Sequence, residues 1–141
     1  MVNKKSAQGP VPPDRFNIHG FHDPDSTLRG TLSAGGGYFL DEDVRQFDNS
    51  MFGINNLETT YMDPKQRKLL EVVYECFESA GVSMDDISGT NTGVYVGNFT
   101  VDYQTMQMRD PDYLHRYSAT GLGTAILANR ISHVFNLHGP R

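Results

Sequence analysis

The 141-residue chain holds a single cysteine, Cys76. One thiol excludes an internal disulfide and any zinc site built from several cysteines. No apolar run approaches the roughly 20 residues that span a bilayer. The two lysines near the N-terminus, Lys4 and Lys5, have no apolar stretch behind them, so no secretory signal peptide is read there. The glycosylation-type triplet Asn98-Phe99-Thr100 is inert without secretion. Basic residues are also in short supply. The net charge is −5, and no Lys/Arg stripe interleaves with aromatics. Nucleic acid and an anionic membrane are therefore excluded as partners. The expectation is a soluble cytoplasmic chain with one core of ordinary size.

Catalytic signatures are equally scarce. GxxxxGK[ST], HExxH and GxSxG do not occur. Gly121-Leu122-Gly123 begins a dinucleotide fingerprint, but Ile126 stands at the third glycine and no strand directly precedes it. A reactive cysteine sits at a helix N-terminus or beside a base. Cys76 instead falls in the third turn of a helix, on or beside its apolar face, and reads as a buried structural thiol. His19 and His22 lack a third metal ligand, and none of the five histidines pairs with a nucleophile. Asn129-Arg130 sits in a mostly apolar helix, as a buried hydrogen-bonding knot or a surface ion pair, and the structural reading is preferred. No catalytic, cofactor-binding or metal residue is expected.

What is present is a strong helix over Met62–Gly81. Asp63 supplies the N-cap and Pro64 the first helical position. Apolar residues follow at 69, 70, 73, 76, 77 and 80, and Gly81 closes the run. Upstream, Asn55 with Glu58 three residues on forms a capping-box-like start for a short helix through Tyr61. The two helices are expected to meet at an angle.

Residues 1–13 carry three of the seven prolines and read as a disordered lead-in. Residues 14–32 are loop-like. Gly35-Gly36-Gly37 leads into a short extended piece, Tyr38–Leu40, and Asp41–Phe47 forms one helical turn. Val82–Asn91 reads as a polar connection. Thr92–Asn98 reads as a strand whose bulky Val94, Tyr95 and Val96 suit burial on both faces. Residues 99–117 are a long connection with a helical middle, and Ala125–Phe135 is a second helix. One such strand cannot stand alone, because its backbone groups need partners. The physical reading is a piece of a larger α/β sheet with poor stability by itself.

These motifs together resemble the β-ketoacyl synthase (ketosynthase) domain of highly reducing, iterative polyketide synthases of fungi. The family's DPxQRxxLE helix appears as Asp63–Glu71. Pro13–Asn17, Gly36–Leu40, Thr92–Gly97, Tyr117–Gly121 and Leu127–Ser132 match further segments in order. Lys65 and Lys68 replace residues commonly neutral or apolar in the helix motif, and both can point away from the 69/73/76/80 face. Arg141 stands where the family has a small residue.

The resemblance implies a partial thiolase-like (αβαβα condensing-enzyme) fold with an incomplete sheet. Residues 14–141 would be the N-terminal region of a ketosynthase, roughly a third of that domain, truncated before the nucleophile segment. The family performs decarboxylative Claisen condensation of acyl and malonyl thioesters with a cysteine and two histidines from segments outside this chain. Cys76 and His138 inherit neither role. The implied state is a fragment, or a relic of a longer gene, inactive alone. The alternatives are an interaction subunit or a complementing enzyme half. In the family the connection after the central strand contributes to the dimer interface. Phe99–Tyr117 is therefore the expected docking surface for a full-length polyketide synthase or another ketosynthase chain.

Overall fold

Asp63 and Pro64 do locally what their types dictate. In the computed structural model, which describes residues 5–141, the Asp63 carboxylate accepts the Lys65 backbone N–H at 2.8 Å. The chain divides into two units, up to Asp43 and from Val44 on.

In the first unit, strands β1 (Gln8–Pro10) and β2 (Gly36–Tyr38) pair antiparallel, with Gly9 opposite Gly37. The strands approach so closely that a Cβ on Gly36 would lie 2.4 Å from the Gly9 carbonyl oxygen. The expected lead-in thus contains a paired strand at 8–10, while its residues 1–4 lie outside the described residues. The extended piece expected at Tyr38–Leu40 begins two residues earlier, where glycines admit the partner backbone. Asn17 caps a single 3₁₀ turn at Ile18–Gly20.

Val44 and Arg45 form a turn, but Asp41–Phe47 does not form the expected helical turn, and the first helix of the second unit is α1 (Asn56–Tyr61). The Asn55 side chain accepts the Glu58 N–H at 2.8 Å. Met62 is extended and Asp63 (φ −54°, ψ 133°) is non-helical, which sets the angle into α2 (Pro64–Ala80), and α2 closes on Gly81 at φ 70°. Gln66, Leu70, Val73 and Phe77 form its inward stripe at spacings of four, three and four. Cys76 is exposed, contrary to the buried thiol expected. At about 100° per residue it stands roughly 120° round the helix from Leu70. The apolar residues of α2 span more of the helix than the core covers.

The supposed connection after Gly81 contains α3 (Met84–Ile87), nucleated by a reciprocal Ser83/Asp86 capping box. The Ser83 hydroxyl bond holds the Asp86 carboxyl below the usual aspartate range. Further on lie α4 (Asp102–Gln107), a 3₁₀ turn at Pro111–Tyr113, α5 (Ser118–Leu122) and α6 (Ile126–Val134). The helical middle of the long connection is α4.

The core of this unit gathers Phe52, Ile54, Met62, Leu70, Ile131, Phe135 and Leu137. The Phe135 ring meets Phe52 and Phe77 edge-on, at 6.4 and 5.5 Å. Ser132 is buried among them at 1% exposure, and its hydroxyl has no hydrogen-bond partner. A buried orphan hydroxyl costs about 1–3 kcal/mol. Ser132→Ala is accordingly expected to leave the urea-unfolding midpoint unchanged or raise it, and a lowered midpoint would contradict this.

The strand expected over Thr92–Asn98 is not formed, and residues 92–98 carry no regular secondary structure. His138 and Gly139 donate to the Thr90 and Thr92 carbonyls at 2.9 and 3.2 Å, and Val94 donates to the Pro140 carbonyl at 2.9 Å. The two segments run parallel. A regular bridge opposite Gly93 would need an N–H from residue 140, and proline has none. The backbones touch: a Cβ on Gly139 would lie 2.4 Å from the Thr92 carbonyl. Half-buried Thr92, Val94 and Val96 alternate with exposed Gly93, Tyr95 and Gly97. The segment is therefore covered on one face, not on both as expected. No helix among the described residues is long and apolar enough to cross a membrane.

Candidate functional site

Two features stand out in the second unit. The first is a polar knot centred on Arg130 of α6. Its guanidinium Nη1 pairs with the Glu58 carboxylate of α1, and Nε donates to Gln66 Oε1 of α2 at 3.2 Å. Nη2 reaches the Thr120 carbonyl of α5 at 3.4 Å. Gln66 in turn donates from Nε2 to the Thr120 and Gly121 carbonyls, each at 2.9 Å. The Asp63 N–H also donates to Gly121, at 2.9 Å.

The short α5 leaves its last carbonyls without helical partners, and Gln66 and Asp63 supply them. One guanidinium thereby joins α1, α2, α5 and α6. The Arg130 and Glu58 side chains keep only 11% and 19% of their surface. Each guanidinium nitrogen donates to a protein acceptor, so the arrangement fixes the helices it joins. Of the two readings of Asn129-Arg130, Arg130 is the buried knot, while Asn129 bonds only its own helix at the Ala125 carbonyl, 3.2 Å.

Gly121, read in sequence as part of a failed dinucleotide fingerprint, has a packing role. A Cβ there would lie 2.2 Å from the Tyr61 carbonyl oxygen. His19 lies on the 3₁₀ turn of the first unit, and His22 forms an isolated bridge with Leu32. No three His, Cys, Asp or Glu converge as a metal-ligand group among the described residues. His138 lies beside Asn136, Nε2 to Oδ1 3.2 Å. Sequence reasoning missed Gln66 as the partner of Arg130. It also assigned Glu58 to a cap, and the Glu58 carboxylate points to Arg130 instead.

The second feature is the segment after Gly93, which lacks regular secondary structure. Tyr95, Val96 and Gly97 make no backbone hydrogen bond with another described residue. Lys65 turns toward the end of this segment, donating to Asn98 Oδ1 at 3.1 Å and to the Thr100 carbonyl at 2.5 Å. Asn98 Nδ2 also bonds the Thr100 carbonyl, at 3.2 Å. Between the two anchored residues Phe99 is 99% exposed. An apolar groove of about 220 Å³ lies alongside, walled by Leu69, Val72, Val96 and Leu127 with Lys65 and Lys68 at its rim. Farther along the expected docking surface, Met106 and Met108 are exposed. His115 stacks on Tyr61 at 4.7 Å, tying that connection to α1.

Against known proteins, a family model described as "Beta-ketoacyl synthase, N-terminal domain" matches residues 1–141. The highly reducing polyketide synthase fogA of Aspergillus ruber is 66% identical over 140 residues. Highly reducing polyketide synthase virA of Hypocrea virens is 70% identical over 140 residues. Each match covers 99% of this chain and 6% of the relative, so the chain spans a small part of those proteins. Among solved structures, an oxazolomycin ketosynthase domain of Streptomyces albus superposes with a TM-score of 0.78 at 31% identity, over 98% of this chain and 24% of that one. A ketosynthase from module 6 of the bacillaene synthase of Bacillus subtilis gives 0.75 at 29% identity, over 99% and 21%.

Proposed function

Because the chain belongs to the β-ketoacyl synthase family, matching its N-terminal domain, we propose that it serves polyketide biosynthesis only when combined with the rest of a condensing domain. Its mixed α/β structure is part of the thiolase-like fold of its ketosynthase neighbours. The reaction of the combined domain is decarboxylative Claisen condensation of acyl and malonyl thioesters, and the chain alone catalyses no turnover.

The observation that carries this reading is the open segment at Tyr95–Gly97, whose donors and acceptors await a neighbouring strand. The chemistry of the chain's own residues agrees. A condensing nucleophile needs a thiolate favoured by a helix N-terminus or a base. Cys76 stands mid-helix between Glu75 and Phe77, exposed. Each guanidinium nitrogen of Arg130 and the Gln66 amide nitrogen donate to protein acceptors that tie helices together. The purified chain, given an acyl thioester and malonyl on a carrier protein, is expected to release carbon dioxide at the uncatalysed rate. Condensation above that background would refute the proposal.

The exposed Tyr95, Phe99, Val101, Met106 and Met108 favour a second reading, docking on an intact synthase. Co-purification with a full-length ketosynthase supports it, and a chain that passes through such a mixture unbound counts against it.

A further inference from the structure

We infer that Phe99 is the anchor by which this chain docks on the remainder of a ketosynthase domain, and that Lys65 is the latch that presents it. The inference rests on the reading above and names the residues that make the contact.

A single exposed aromatic is ordinary on a protein surface and means little by itself. Phe99 differs because both its neighbours are held by one ammonium group. Lys65 Nζ takes Asn98 Oδ1 and the Thr100 carbonyl, and the Asn98 amide closes the turn onto the same carbonyl. Lys65 is itself set by α2, beside the buried Asp63 carboxylate at 3.5 Å. The turn is thus ordered before any partner arrives, and the entropy of ordering it is not charged to binding. A rigidly held aromatic beside a groove is the usual form of an interface hot spot.

The surroundings indicate the kind of partner. No charged residue occurs from Asn91 through Val101. Tyr95–Gly97 leave a bare backbone edge, which is satisfied by another extended segment. Leu69, Val72, Val96 and Leu127 continue the apolar surface beside it. This chain covers 24% of a solved ketosynthase domain with which it superposes. The occupant is therefore an extended, apolar segment from the remaining polypeptide of such a domain, with a socket for the Phe99 ring.

The test co-expresses the tagged 141-residue chain with a ketosynthase polypeptide of the fogA synthase from which the matching segment is deleted. Capture and dissociation constant are then measured. Wild type is expected to capture this polypeptide, and Phe99→Ser to weaken binding about 30-fold. Phe99 is fully exposed in the chain alone, so the circular dichroism spectrum of the isolated variant should not change. Lys65→Gln is expected to weaken binding about fivefold in the wild-type background and to add nothing to Phe99→Ser, because it acts through the turn. Val72→Lys, on the groove wall, gives an independent loss. Capture that is equal for wild type and Phe99→Ser overturns the anchor while leaving the proposed function standing. Lys65→Gln weakening the Phe99→Ser variant just as strongly overturns the latch. No capture by wild type overturns both this inference and the proposed function.

Discussion

Gly121→Ala is expected to unfold the second unit of this chain or to leave it without a defined melting transition. The cause is close approach of backbones. The added Cβ would lie 2.2 Å from the Tyr61 carbonyl oxygen, 2.8 Å from its carbon and 3.2 Å from the Met62 Cα. These are main-chain atoms at the turn between α1 and α2, and no side-chain rotamer relieves the clash. Moving α5 away breaks the bonds from Asp63 N–H and Gln66 Nε2 to the Gly121 carbonyl.

Two hydrogen bonds at about 1 kcal/mol each, with overpacking of about 1–3 kcal/mol, sum to roughly 3–5 kcal/mol. Natural domains have only about 5–15 kcal/mol to lose, and a chain with an open strand edge starts from the low end. Urea unfolding followed by circular dichroism reads the result directly. Gly53→Ala serves as the control, since Gly53 has φ 64° with no atom within 4 Å of a Cβ. It should cost about 1 kcal/mol from backbone conformation alone. Equal effects of the two substitutions would show that the packing argument is wrong.

Arg130→Met is expected to cost about 2–4 kcal/mol, more than most single substitutions. The new side chain keeps the stem's packing but leaves the Glu58 carboxylate at 19% exposure and Gln66 Oε1 without their donor. The penalty comes mainly from stranding the carboxylate, so it should shrink when the charge is removed as well. Glu58→Gln with Arg130→Met is therefore expected to be less destabilised than the sum of the two single variants. A double-mutant cycle measures that difference. Arg130→Lys should rescue little, because one ammonium cannot span Glu58, Gln66 and Thr120 in the directions a planar guanidinium does. Strict additivity in the cycle would mean that Glu58 and Arg130 do not act as a pair.

The contrast between Cys76 and Arg130 shows how far local reasoning reaches. The α2 helix was legible from Asp63, Pro64 and Gly81, because capping and helix entry involve atoms a few residues apart. Which face of that helix is buried was not legible. Cys76 and Ala80 are apolar enough to join the stripe, and only the positions of Phe135 and Ile131 decide that Leu70 and Phe77 are covered while Cys76 is not. Asn55 was likewise read correctly as a cap. The Glu58 side chain was misplaced, because its partner lies 72 residues away.

The family was legible in the sequence because its motifs stand in order along one chain, from Pro13–Asn17 to Leu127–Ser132, and order survives without any knowledge of contacts. The sequence by itself therefore determined the starts of α1 and α2 and membership of the ketosynthases. The tertiary structure alone decided that Gly121 and Gly139 are demanded by touching backbones, that Gln66 and Arg130 share one knot, and that Pro140 interrupts the parallel ladder. Lys65 gripping both sides of Phe99 was also decided there. Each of these depends on atoms brought together from distant positions, and residue type at a single position carries no record of its distant neighbour.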